Sequence, residues 1–173
     1  PPCATRQPRP RPTPPPPPGG VPGLLGYRAA NTLDAMVGHR SARHARYGWA
    51  AARLDDLLNL PGARLTAALA TLLGADPAAS LRAWRRDAGA HPSPNAGPVE
   101  AAFAGALGVR LGGRTVYGHG AEARVELRPV LGEGRAPAAH DVARGRRLAD
   151  RVGLGALIVL APIAARPARR RRR

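Results

Sequence analysis

Between Arg28 and Arg64 the chain sets a high density of ionisable and amide side chains among Leu, Ala, Met, Val and Trp. Arg28, Asn31 and Asp34 follow one another three apart, as do Arg53, Asp56 and Asn59, and Asp55 stands four before Asn59. At helical pitch each triplet shares a face. Ionic and amide groups in apolar helices must find partners or bind something with them. Arg53 and Arg64 have the planar fork that matches phosphate oxygens in pairs. For Arg53 an equal alternative is neutralisation of Asp56 one turn away. Adjacent Asp55 and Asp56 project about 100° apart on a helix and do not meet at one point. One of them could hold Mg²⁺ or accept a proton, while the other caps a neighbouring Arg. Asn31 with Asp34 is a second polar pair, for which helix-to-helix pairing is the plain account.

Further along, Ser93 and Asn95 lie in His91-Pro92-Ser93-Pro94-Asn95, where prolines fix the backbone and Asn95 can present its amide to a ligand or simply stabilise the turn. Glu100 suits a general base, or a dipole partner near a helix start. Tyr117 sits in a glycine-rich stretch and could line a pocket. His39 and His91 fall in loops, where a lone histidine is more often exposed than catalytic. No set of thiols can build a metal site, because Cys3 is the one cysteine.

The elements that must position these groups are mostly helical. Residues 1–23 are Pro-rich and are expected to be a disordered or polyproline leader, a flexible leader being preferred to a docking peptide. From residue 26 Leu33, Met36 and Val37 recur at helix spacing until Gly38. A second helix is expected over residues 49–60, broken by Pro61-Gly62, with a short apolar segment over 65–75. Asp76 is a candidate N-cap with Pro77 at the first helical position. This helix should end near Ala88-Gly89, and a small-residue helix over 99–107 should pack closely through Ala104, Gly105 and Ala106. Residues 108–120 read as a glycine-rich loop, and 121–138 as irregular with a short strand at 125–127. A charged amphipathic helix over 140–151 runs into an uncharged apolar run at 152–165, followed by an Arg-rich tail at 166–173. That run falls short of the roughly 20 residues of a full span, so hydropathy leaves a membrane segment and a core helix equally open.

The formal charge of +16 invites a nucleic-acid reading. All 27 basic residues are Arg, however, in a chain rich in Ala, Gly and Pro, which is the mark of a coding bias rather than of selection for phosphate contacts. Aromatic residues make up 3%, leaving few platforms for stacking bases. Nucleic acid is therefore not expected as a partner. The chain starts at Pro1 without an apolar signal segment, which suggests a fragment and no secretory leader.

Seven pieces in one order resemble the CobD/CbiB family, the adenosylcobinamide-phosphate synthases of cobalamin biosynthesis. They are NTLDAMVGHR (31–40), YGWAAARLDDLLN (47–59), ARLTA (63–67), HPSPNAG (91–97), VEAAFAGALGVRLGG (99–113), VYG (116–118) and RPVLGEGRAP (128–137). Their order and spacing agree with the family over roughly residues 24–165, and the leader 1–23 does not resemble it. The resemblance implies the C-terminal half of a multi-pass protein of the inner (cytoplasmic) membrane: a mainly α, helical integral-membrane fragment with long Gly/Pro-rich loops. It also implies a carbon–nitrogen ligase, joining a propionate of adenosylcobyric acid to aminopropanol or its phosphate through an amide. Other cobalamin-pathway enzymes are then natural partners. Amide formation from carboxylate and amine is uphill in water, so ATP with Mg²⁺ is the expected activator, although no P-loop and no Lys occur.

On this reading Asp55, Asp56 and Glu100 are the candidate catalytic groups. Asn31, Asp34, Arg53, Asn59, Arg64, Ser93, Asn95 and Tyr117 are the candidate binding groups, with Tyr117 lining a pocket for the bulky corrin. No resident metal is assigned to protein ligands alone. Arg53, Asp56, Asn59 and Arg64 are expected to form one polar pocket roofed by the loop at 93–97. The alternatives are a basic nucleic-acid-binding protein and a non-catalytic membrane scaffold.

Overall fold

The computed structural model describes residues 20–37, 47–117 and 124–165. Among them are five α-helices and one two-stranded antiparallel sheet: α1 (Gly20–Val37), α2 (Tyr47–Leu73), α3 (Pro77–Asp87), α4 (Ala96–Leu107), β1 (Leu111–Tyr117), β2 (Arg124–Leu131) and α5 (Ala139–Ala164). The mainly helical expectation holds. Helix α1 begins at Gly20, within the stretch read as leader; the rest of that leader, His39 and the Arg tail lie outside the described residues.

The expected break at Pro61-Gly62 does not occur, because α2 runs through Pro61 without interruption. Proline removes one backbone donor and crowds the preceding turn, a cost of about 3 kcal/mol in a helix interior. Pro61 and Gly62 face solvent, while the turns that follow bury Ala67, Leu69 and Ala70 against α4 and α5. Packing of the apolar segment thus holds the helix together past its weak point. Helix α3 starts as its sequence requires, with Asp76 Oδ1 accepting from the Ala79 N–H at 2.8 Å and Pro77 in the first turn.

The core is built largely of alanine. Ala67, Ala70, Ala101, Ala102 and Ala104 have no accessible surface, and Leu69, Leu148 and Val152 close the centre between α2, α4 and α5. Such small side chains let helices approach closely, and Gly105 marks the limit. A Cβ there would sit 2.5 Å from the Ala79 carbonyl oxygen and 2.6 Å from Ser80 Cα. At the same crossing Ser80 Oγ donates to the Ala102 carbonyl at 2.8 Å and lies 2.9 Å from Thr71 Oγ1, tying α2, α3 and α4 together. These hydroxyls are buried and satisfied, as burial demands.

Over residues 111–117 the glycine-rich region is a strand rather than a loop. After α4 ends on Gly108 in the left-handed conformation (φ 66°), the chain enters β1, which pairs with β2 from Tyr117–Arg124 to Leu111–Leu131 with an irregularity between Leu111 and Gly113. The short strand expected at 125–127 is the middle of the longer β2. The hairpin is anchored at its base by Asp87, whose carboxylate accepts from Arg86 at 2.6 and 2.7 Å and from the Gly132 N–H at 2.7 Å. These bonds, the Arg86 pair first, lower the Asp87 pKa against the opposing effect of burial.

Helix α5 joins the charged and apolar segments into one rod. Asp141 in its first turn accepts from the Ala138 N–H at 2.9 Å, satisfying an otherwise orphan donor. It is also gripped by Arg135 and Arg144. The Arg135 bonds above all hold its carboxyl far below the ordinary carboxylate range. Beyond Val152 the helix still packs against the core through Ala156, but Leu154, Leu157, Ile158, Leu160 and Ile163 are exposed. Among the described residues no helix is long and apolar enough to cross a membrane.

Candidate functional site

Helix α2 carries two polar seams, one on each side of the Asp55–Asp56 step. On the first, α1 lies against α2. Tyr27 donates its hydroxyl to Asn59 Oδ1 at 2.7 Å. The Asn59 amide donates to the Asp55 carbonyl at 2.9 Å and to Asp55 Oδ2 at 3.0 Å, and Asn31 Nδ2 approaches Asp55 Oδ1 at 3.3 Å. Both Asp55 oxygens are therefore engaged by neutral amides. Tyr27 was not anticipated. Its one signal was position, one turn before Asn31 on the face that α1 turns to α2.

The second seam joins α2 to the loop before α4. Asn95 Nδ2 donates to the Asp56 carbonyl at 2.9 Å and to Asp56 Oδ1 at 3.2 Å. Arg64, two turns further along α2, donates to the Pro94 carbonyl at 2.7 Å and reaches Asn95 Oδ1 at 3.4 Å. Ser93 Oγ accepts from the N–H groups of Asn95 and Ala96, both at 3.3 Å, and the Ser93 N–H donates to His91 Nδ1 at 3.0 Å. The far side of that imidazole, Nε2, is 3.9 Å from Glu100. A chain of polar contacts thus runs from Asp56 through Asn95, Ser93 and His91 to Glu100. Its last members open into a cavity of about 330 Å³ shared with Glu126 and Arg128 of β2. Glu126 lies within the short strand expected at 125–127, but nothing in the sequence brings that strand to the wall shared with His91 and Glu100.

The four residues expected in one pocket are divided. Asp56 and Arg64 meet the loop, whereas Asn59 turns to α1. Arg53 is exposed, with its guanidinium 5.7 Å from the Trp49 ring centroid rather than paired with Asp56. That leaves its fork available to an anion. Asp34 is half-buried, with no hydrogen bond or ion pair among the described residues. Tyr117 ends β1 opposite Arg124.

A divalent cation fits this arrangement poorly as a resident group. Asp55 and Asp56 face different neighbours, and among the described residues no three His, Cys, Asp or Glu side chains converge. What the second seam can do is hold a polar loop rigidly beside a half-buried carboxylate and a cation, over a cavity with carboxylates on its wall.

The CobD/Cbib protein family matches residues 18–149, three quarters of the chain, including both seams and the hairpin. The chain belongs to the CobD/CbiB family. It is 56% identical over 144 residues to cobalamin biosynthesis protein CobD of Mycobacterium tuberculosis, covering 81% of this chain and 45% of that protein. It is 56% identical over 123 residues to the protein of that name from Stutzerimonas stutzeri, covering 71% of this chain and 39% of the relative. With the Rhodobacter capsulatus protein, also so named, identity is 47% over 146 residues, covering 84% of this chain and 45% of the relative. The chain therefore spans less than half the length of these CobD relatives. No solved structure matches it. Family membership and the printed names of these relatives tie the chain to cobalamin biosynthesis.

Proposed function

We propose that the second seam is the C-terminal contribution to the active site of an adenosylcobinamide-phosphate synthase. In this reading a propionate of adenosylcobyric acid is joined to aminopropanol or its phosphate at the cytoplasmic membrane. The observation that carries it is the convergence of Asp56, Arg64 and Asn95 on the proline-fixed loop, beside the cavity bearing His91 and Glu100. An amine substrate arrives as an ammonium ion and must lose a proton before it can attack carbon. Glu100 accepts that proton at the cavity wall, with His91 beside it to pass the charge along. Glu126 on the opposite strand attracts the same ammonium, and Arg128, its neighbour at 3.3 Å, is placed for a phosphate on the amino-alcohol. Arg64 and the Asn95 amide fix the loop against which the larger substrate rests, and Arg53 receives an anionic group from solvent. Activation of the carboxylate belongs to ATP with Mg²⁺, and the residues here fix no step for it.

The test is amide formation in a chain completed by the N-terminal half of the Mycobacterium tuberculosis relative. Adenosylcobyric acid, aminopropanol phosphate and ATP are supplied, and corrinoid products are separated by chromatography. Asp56→Asn and Glu100→Gln should each lower turnover by about 100-fold or more, with expression and membrane fraction unchanged. Full turnover in both variants would refute the assignment.

A further inference from the structure

We propose that a cavity between α5 and the ends of α2 and α4, remote from the proposed active site, binds the phosphate group of an anionic phospholipid. Arg144, Arg147 and Arg151 recur at intervals of three and four, so they share one face of α5. They surround a cavity of about 170 Å³ whose floor is Leu73, Ala106 and Leu148. No carboxylate lines it. Arg144 is engaged by Asp141 at 2.8 Å, but Arg147 and Arg151 have no hydrogen bond or ion pair among the described residues. Like charges on successive turns repel, and a bound anion reverses that sign.

The surface next to the cavity decides which anion. From Val152 to Ala165 the chain carries no charge, and Leu154, Leu157 and Ile158 are each at least 60% exposed. Leu72 and Leu73 of α2 extend the same surface, since Leu73 Cδ1 lies 3.3 Å from the position of a Cβ on Gly155. A free phosphate compound would use the guanidinium groups and leave this apolar face in water. A phospholipid satisfies both, with its phosphate in the cavity and its acyl chains along the leucines. The uncharged stretch is about 20 Å long at 1.5 Å per residue, too short to cross a bilayer and suited to one leaflet. Arg166 and Arg169–Arg173 follow it in sequence, so basic residues flank the uncharged stretch on both sides along the chain.

Sedimentation of the chain with vesicles of phosphatidylcholine, with or without 30% phosphatidylglycerol, tests the proposal. To remove the contribution of the tail, residues 166–173 are deleted in every variant. The parent should bind the anionic vesicles. Arg147→Gln with Arg151→Gln should weaken this about 30-fold, from roughly 1 kcal/mol per arginine at an anionic surface. Arg82→Gln with Arg85→Gln, equal in charge but on α3, should change it far less. An equal loss in the two double variants would mean diffuse attraction and overturn the site. Unchanged vesicle binding in the α5 variant would also overturn it, whether the arginines merely offset the helix ends, seen as a lower Tm, or hold inorganic phosphate, seen by calorimetry.

Discussion

Asp55 and Asp56 are neighbours in the chain and live in different surroundings. Asp55 is enclosed by Asn59 one turn along its own helix and by Asn31 across from α1, with Tyr27 behind them. Asp56 faces a loop, held by Asn95, in a network that ends at an open cavity. The 100° turn between successive helical residues makes this division unavoidable. It also separates two tasks. The first seam satisfies polar groups at a helix-helix contact, and the second keeps a loop in place where a ligand can reach it.

Substitutions should expose that difference. The largest effect is expected for Asn95→Asp, which loses two donated bonds and sets a second carboxylate beside Asp56. It should cost about 2–3 kcal/mol and abolish amide formation in the completed synthase. An active Asn95→Asp protein would mean that the loop need not be held by Asp56. Asp55→Ala should behave in the opposite sense, destabilising by about 1–2 kcal/mol in urea unfolding while turnover at permissive temperature survives. If Asp55→Ala stops the reaction in a folded protein, the two seams are not separate in function.

Asp141 supplies a control remote from both seams. Its carboxyl has a folded pKa well below the ordinary 3.8, so its contribution is present above that value and is lost as pH falls through it toward the folded one. Stability measured between pH 5 and pH 2 should therefore decline, and Asp141→Asn should flatten that decline. The smallest effect is expected for Tyr27→Phe, about 0.5–1 kcal/mol, because its hydroxyl is partly exposed. In a double-mutant cycle with Asn59→Ala the two losses should be less than additive.

The local signals were legible in the sequence where one residue type has one use. Asp76-Pro77 announced the start of α3, and Gly105 between alanines announced a close helix crossing. The angular separation of Asp55 and Asp56 followed from helix geometry alone. Pro61 misled because its local cost is outweighed by burial of Ala67, Leu69 and Ala70, six to nine positions on, against helices distant in sequence. The hairpin was hidden by Gly112 and Gly113, which obscure the alternation in β1, and by the irregular register they produce. Tyr27 and Glu126 entered the picture only through residues 32 positions or more distant, or through cavity walls shared between elements. Seven motifs in one order carried the family resemblance, and the matched relatives agree with it.

A centre made of alanine has an asymmetric tolerance to genetic drift. Ala67, Ala70, Ala101 and Ala102 offer nothing to truncate, so losses of volume hardly arise there. Any enlargement, even alanine to valine, must push two backbones apart, at about 1–3 kcal/mol for each site. Compensation would require a larger neighbour such as Leu69, Leu148 or Val152 to shrink. A genome that steadily converts codons toward alanine would leave the alanines of this core untouched, while the reverse flow would erode stability one methyl group at a time.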